Sequence, residues 1–240
     1  AFQAVDYTLR VLKKEYGTWN DMGEERCMNL WSNLRKMSVS DRFLSECKNR
    51  PFLGTPGVTQ LDSWDATTYS NTLATKVGNL LHCASYNLSA PMYVDGEKEK
   101  ELIEGIDEIS KVLHMAETAD MALIGIGSMQ KDSSIIKAGI RTEEEYKELI
   151  QKGAVGEIVG RIYDKNGQTV DEDLQKKMIG ISLDKIAKIP VRVGISYGKD
   201  KIEAIKGAIA GGLVNVLVTD VPTAESFIKM MNYSIKIRRN

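Results

Sequence analysis

The chain is 240 residues long and carries 32 Lys+Arg against 33 Asp+Glu, for a formal net charge of −1, with 42% hydrophobic and 27% charged residues. That balance belongs to a globular protein and excludes disorder, collagen-like repeats and a disulfide scaffold. It also lacks the strongly basic face by which nucleic-acid binders attract phosphates, so any DNA contact is expected outside this stretch.

Taken in chain order, Val5, Leu9, Leu12 and Tyr16 recur at helical spacing, with Gly17 as a C-terminal cap. Cys27, Leu30, Trp31 and Leu34 predict a second helix, and the short polar stretch from Thr18 to Glu25 leaves a weak strand open. Pro51–Gly54 reads as a strand closed by the turn Thr55-Pro56-Gly57. Tyr69, Leu73, Val77, Leu80 and Leu81 mark a helix, and Tyr86–Ala90 a strand ending at Pro91. Ile103, Ile106, Ile109, Leu113 and Ala116 predict one long amphipathic helix. Met121–Gly127 is a wholly apolar run of strand length, the kind buried on both faces of a parallel sheet.

Thr142 and Glu145 have capping-box spacing ahead of Tyr146, Leu149 and Ile150, so a helix starts there. Val155–Tyr163 is strand-like, and Asp164-Lys165-Asn166-Gly167 is a turn leading to Thr169-Val170, which predicts an inserted β-hairpin. Pro190–Ser196 predicts a strand, Ile202, Ile205, Ala208 and Ile209 a helix stopped by Gly211-Gly212, and Leu213–Val218 a further strand. Ala224, Phe227, Ile228 and Met231 begin the last helix. This βαβα unit requires parallel strands, and the whole chain, residues 1–240, reads as one α/β domain with a small β insertion.

Ligands of open α/β sheets bind beyond the carboxyl ends of the strands. Here those ends are Gly125-Ile126-Gly127, Ser196-Tyr197-Gly198, Thr219-Asp220 and Thr55-Pro56-Gly57. Their glycines either let backbone N–H groups approach an anion or simply permit tight turns. Lys201 falls in the first turn after Gly198, where a cation opposes the helix dipole unless an anion is near. Lys199 and Lys201 around Asp200 are either solvated charges or a phosphate or carboxylate clamp. Glu157, in Gly153-Ala-Val-Gly-Glu157, either accepts two sugar hydroxyls or faces solvent at an edge. His114 falls on the apolar side of the long helix and reads as structural.

Cys27, Cys47 and Cys83 are an odd number at no metal-like spacing, which fits a reducing cytoplasm and no metal site. His82 and Cys83 are a poor ligand pair, since helix neighbours point about 100° apart. No apolar run reaches the roughly 18 residues that span a membrane, and no signal peptide is visible. The chain contains no Gly-x-Ser-x-Gly elbow, no Walker-type phosphate loop and no His-rich metal motif, so neither catalytic residues nor a cofactor are expected.

Asp120-Met-Ala-Leu-Ile-Gly-Ile-Gly127 and Lys152-Gly-Ala-Val-Gly-Glu-Ile-Val-Gly-Arg-Ile-Tyr-Asp164 together resemble the effector-binding domain of the SorC family of bacterial sugar-operon regulators. Ile179-Gly-Ile-Ser-Leu183, Ile189-Pro-Val-Arg-Val193, Gly198-x-x-Lys201, Val218-Thr-Asp220 and Thr223-Ala224 extend the resemblance to the end of the chain. It is looser at Gly57-Val58, Asn71-Thr-Leu-Ala74 and Ser89-Ala-Pro91. Among SorC-family members, the similarity is greatest to regulators of autoinducer-phosphate and related sugar operons.

The resemblance implies a Rossmann-like three-layer parallel sheet of the NagB/RpiA/CoA-transferase type, shared with ribose-5-phosphate isomerase and glucosamine-6-phosphate deaminase. It implies a sugar or sugar-phosphate effector, a dimer or tetramer, and DNA contacts made through an N-terminal helix-turn-helix domain absent from this chain. Carried over by position, the family's phosphate loop falls at Asp21-Met22-Gly23-Glu24-Glu25, with Thr55, Gly57, Tyr69, Glu157 and Lys201 matching across the cleft. Lys137, in Ser133-Ser-Ile-Ile-Lys-Ala-Gly139, falls near a basic residue of the relatives. Gly125, Gly127, Gly198 and Asp220 complete the expected effector site from the strand ends. The chain departs from the family pattern in its acidic loop and in Tyr197-Gly198, which replaces a Gly-Gly pair. The expected function is ligand sensing by a cytoplasmic transcriptional regulator. An isomerase or deaminase of the same fold and an oligomerisation module with a vestigial pocket are the alternatives.

Overall fold

The computed structural model describes residues 84–129, 133–137 and 139–237, together with 52–54, 72, 74, 75, 78 and 79. The helices expected within the first 50 residues lie outside that set. The chain divides into two compact units, one of residues 1–57 and 63–88 and the other of residues 58–62 and 89–240. In the first unit, β1 (Phe52–Gly54) and β2 (Ser85–Asn87) pair in parallel, Leu53 opposite Tyr86. Thr72, Ala74, Thr75, Gly78 and Asn79 between them are helical, the crossover that parallel strands require.

The second unit begins with α1 (Glu97–Glu104) and α2 (Asp107–Glu117). The sequence periodicity predicts one long helix here, but Gly105 caps the first and Ile106 turns extended (φ −69, ψ 126) before the second begins. Glycine contributes the least helix stability of the non-proline residues, and the chain breaks there. His114 proves to be exposed in the last turn of α2, where a basic residue suits the helix dipole, and it is no core residue.

The strand β3 (Met121–Gly125) pairs in parallel with β7 (Val191–Ile195), and β7 with β8 (Val216–Val218), in the order β3-β7-β8. The expectation that 121–127 is buried on both faces fails at its start: Met121 is 37% and Leu123 41% exposed, while Ile124 and Ile126 are buried.

A second, antiparallel sheet orders β4 (Gly127–Ser128), β5 (Ala154–Ile158) and β6 (Arg161–Asp164). The insertion is therefore present, but its turn is Val159-Gly160, between the paired Ile158 and Arg161. Both turn residues have positive φ, 52° and 71°, the condition for a type I′ turn. Glycine suits 160, where φ is +71° and a Cβ would push against the ends of Met92 and Met178. The predicted Asp164–Gly167 turn exists as well, closed by Asn166 and Gln168 N–H groups donating to Asp164 Oδ1, and it leads to a short antiparallel contact in which Thr169 bridges Tyr163 and Val170 N–H donates to the Ile162 carbonyl.

From β4 onward the helices are α3 (Ser134–Lys137), α4 (Glu143–Gln151), α5 (Glu172–Lys177) and α6 (Leu183–Ile186), then a 3-10 turn (Lys199–Lys201) with α7 (Ile202–Ala210), and after the last strand α8 (Val221–Ile237). The predicted capping box is complete: Thr142 Oγ1 accepts from Glu145 N–H, and the Glu145 carboxylate accepts from Thr142 N–H. One core, including Ile124, Ile126, Ile158, Tyr163, Ile205 and Leu213, is common to both sheets and α7. A smaller cluster of Ile135, Tyr146, Leu149, Ala154 and Ile162 fills the space under α3 and α4. Among the described residues no helix is long and apolar enough to cross a membrane.

Candidate functional site

Because β3, β7 and β8 are parallel, their carboxyl ends open on one edge of the sheet. The ends are tied together beyond the strands. Ile126 N–H donates to the Ile195 carbonyl, the buried Ser196 hydroxyl donates to the Ile126 carbonyl at 3.0 Å, and Ser196 N–H donates to the Val218 carbonyl. The chain that leaves β3 at Gly125 thus enters β4 at Gly127, under control of β7.

Gly127 pairs with Glu157 on β5, and the Glu157 side chain lies directly over it: a Cβ at 127 would be 2.5 Å from Glu157 Cγ. The next pair along β5 and β6 sets Glu157 opposite Ile162, whose side chain packs with Ile135 under α3. The Ser133 hydroxyl, at the start of α3, donates to Glu157 Oε2 at 3.0 Å and accepts from Ile135 N–H at 3.2 Å. Glu157 is therefore a half-buried carboxylate oriented by a capping serine. Next to it Tyr163 is fully buried, its hydroxyl donating to the Ala204 carbonyl. Burial first, and then the Glu157 charge, push that phenol well above its ordinary range.

On the other side, Ser128 follows Gly127 and its hydroxyl reaches Asp200 Oδ2 at 3.5 Å. Lys201 Nζ lies 3.9 Å from the same carboxylate oxygen, and Lys201 stands at the N-terminus of α7. Gly198, at φ +105°, donates its N–H to the Thr223 hydroxyl at 2.8 Å. Asp220 Oδ1 in turn accepts from Thr223 N–H, so the Asp220 carboxylate caps the first turn of α8.

Of the residues expected from sequence, this edge brings together Gly125, Gly127, Glu157, Gly198, Lys201 and Asp220. Asp220 is engaged as a helix cap, and Lys201 is paired with its own neighbour. Lys137 lies in α3, the helix that Ser133 begins. Gly23, Glu24, Thr55, Gly57 and Tyr69 lie outside the described residues. Sequence reasoning did not single out Ser133, Ser128, Asp200 or Thr223 as site groups. Ser133 ahead of the apolar Ile135-Ile136 was readable as a cap, whereas Ser128 meets Asp200 across 72 positions and Gly198 meets Thr223 across 25. Among the described residues the edge presents oriented carboxylate oxygens, hydroxyls and the Lys201 ammonium, which suits a polyol carrying an anionic group. Among the described residues no group of His, Cys, Asp and Glu is arranged to hold a metal ion.

Comparisons with known proteins agree with this reading of the fold. A family model for a sugar-binding domain, Sugar-bind, matches residues 37–229. The chain is 32% identical over 151 residues to the transcriptional regulator LsrR of Enterobacter sp. (strain 638), an alignment covering 62% of this chain and 47% of that protein. The chain thus spans about half the length of the curated relatives it matches. A DeoR family transcriptional regulator from Listeria monocytogenes superposes with a TM-score of 0.70 at 25% identity, covering 94% of this chain and 99% of the other. The full-length sorbitol operon regulator SorC from Klebsiella pneumoniae shares the fold, with a TM-score of 0.69 at 24% identity, over 89% of this chain and 78% of SorC. The chain belongs to the Sugar-bind family, whose model describes a sugar-binding domain.

Proposed function

We propose that residues 1–240 form the effector-sensing domain of a cytoplasmic bacterial regulator of a carbohydrate operon, whose DNA contacts are made by a helix-turn-helix domain elsewhere in its protein. The effector is a sugar or sugar phosphate, and it acts by favouring one arrangement of a dimer or tetramer, which changes DNA affinity. The observation that carries this reading is Glu157, fixed over Gly127 by Ser133 at the carboxyl edge. A carboxylate held there accepts hydrogen bonds from neighbouring sugar hydroxyls. Lys201 supplies charge for a phosphate, Gly125, Gly127 and Gly198 let backbone approach the ligand, and Lys137 and Asp220 flank it from α3 and α8.

The relatives are named as transcriptional regulators, which supports binding over turnover. Thermal unfolding against a panel of sugars, each with and without its phosphate, tests the reading. An effector at a hundred times its dissociation constant stabilises by about 2.7 kcal/mol. We expect that stabilisation from a member of the panel and its loss in Glu157→Gln. Turnover of ribose or glucosamine phosphate by the purified chain would favour the isomerase or deaminase reading instead. No shift across the panel would favour the vestigial module.

A further inference from the structure

The glycines around the carboxyl edge are glycines for different reasons. At Gly127 the Glu157 side chain fills the space a Cβ would take, and at Gly194 that space is taken by Ile126 Cδ1 and Val214 Cγ1, both at 2.8 Å. Gly198 has a φ of +105°, which favours glycine. Gly125 has neither reason. It lies exposed at the end of β3, outside the left-handed region of φ, and a Cβ there would meet no described atom within 4 Å. A glycine inside a strand weakens it, so the fold alone would be better served by a side chain at this position.

The open space over Gly125 has a definite neighbour. Ile124 and Ile126 both enter the core common to the two sheets, so Leu123, Gly125 and Gly127 present the opposite face of the extended chain. Two residues of a strand span about 6.6 Å. The bare backbone at 125 is therefore about one sugar ring away from Gly127, over which Glu157 stands. On the same face Leu123 is 41% exposed, and Ile195 is the register partner of Gly125 on β7.

We propose that the open face of Gly125 is the seat of the sugar's carbon skeleton, which makes Gly125 a specificity-determining residue. The skeleton lies against bare backbone there, with its hydroxyls turned towards Glu157. This rests on the reading of the edge as an effector site, and it adds where on that edge the neutral part of the effector sits. A ligand carbon in van der Waals contact with Gly125 Cα takes the volume that an alanine methyl would fill, so the methyl and the ligand exclude one another.

The test uses the full chain and its Gly125→Ala, Gly125→Val and Glu157→Gln variants. Each is titrated with ribose, glucose and fructose, free and as the terminal phosphomonoester, and its melting midpoint is recorded without ligand. Gly125→Ala should melt no lower than wild type, yet bind the sugar that wild type binds about tenfold more weakly, with Gly125→Val weaker still. If the valine variant does not fold, the alanine variant decides alone. A lower midpoint in Gly125→Ala shows that the glycine serves the fold, and overturns the seat. Wild-type affinity in Gly125→Ala, with binding lost in Glu157→Gln, overturns the seat and leaves the effector site standing. Failure of the wild-type chain to bind any of these sugars overturns both.

Discussion

The ionised groups that join α4, α5 and the hairpin differ sharply from those at the carboxyl edge. Arg161, 1% exposed on β6, donates from Nε to the Ile181 carbonyl at 2.7 Å, from Nη2 to the Gly180 carbonyl at 2.8 Å, and from Nη1 to Gln175. Burial pulls its guanidinium down to about 10, with the charges of Glu104 and Asp184 opposing. Arg141 makes a bidentate pair with Asp171 at 2.9 and 2.8 Å, and that bond holds it above its usual range. Each of these cations is fixed by two or more short bonds. These two scaffold cations are held by short bonds, whereas the Lys201 ammonium stands 3.9 Å from the carboxylate it faces. A binding site needs the second kind, since a ligand can displace only weak partners.

The largest expected effect tests the scaffold half of that contrast. Arg161→Met removes the donor to the buried Ile181 carbonyl and to the part-buried Gly180 carbonyl, and should cost about 3 kcal/mol, read as a lower denaturant midpoint at constant slope. A loss below about 1 kcal/mol would mean that the relief of desolvating the charge outweighs those bonds. Asp171→Asn comes next, at about 2 kcal/mol. It leaves the Arg141 charge, whose side chain is only 11% exposed, with the longer contacts to Asp173 (3.4 Å) and Glu145 (3.8 Å), while an asparagine still caps α5 through Leu174 N–H. Asp171→Ala should cost about 1 kcal/mol more, because the cap goes too.

The capping box of α4 is an intermediate case, local and exposed but fully bonded. Glu145→Ala should cost about 1 kcal/mol at pH 7. The bond from Thr142 N–H holds the Glu145 carboxyl below its usual range. The folded chain therefore keeps this charge to lower pH than the unfolded chain does. Its stabilisation is complete above about pH 4.5 and is lost as pH falls through the lowered folded value. The difference in midpoint between wild type and variant should accordingly narrow in acid, and a constant difference would show that packing, not the charge, is responsible.

That box was legible because it depends on residues three apart. The strands β3, β7 and β8 were legible for a similar reason, as apolar runs with glycine at their ends. Glu157 stood out through its place among glycines. What holds it did not, because Ser133 is 24 positions away, and Asp200 and Ser128 are 72 apart. The hairpin turn escaped because Val159 gives no turn signal: a β-branched residue at φ +52° is imposed by the pairing of Ile158 with Arg161. Asp164–Gly167, with the composition of a turn, drew the prediction instead. The break at Gly105 escaped because the apolar spacing continues across it, through Ile103, Ile106 and Ile109.

The smallest expected change in stability tests the other half of the contrast. Lys201→Ala should alter folding by no more than about 0.5 kcal/mol, a shift of roughly 1–2 °C in melting midpoint. Two opposing terms are removed together: one long-range pair with a half-exposed Asp200, and a cation placed against the positive end of α7. The same variant should abolish stabilisation by phosphate. If Lys201→Ala instead destabilises as much as Asp171→Asn, Lys201 is a scaffold charge like Arg141. The edge would then hold no displaceable cation, and an anionic group would have to be sought against another part of the chain.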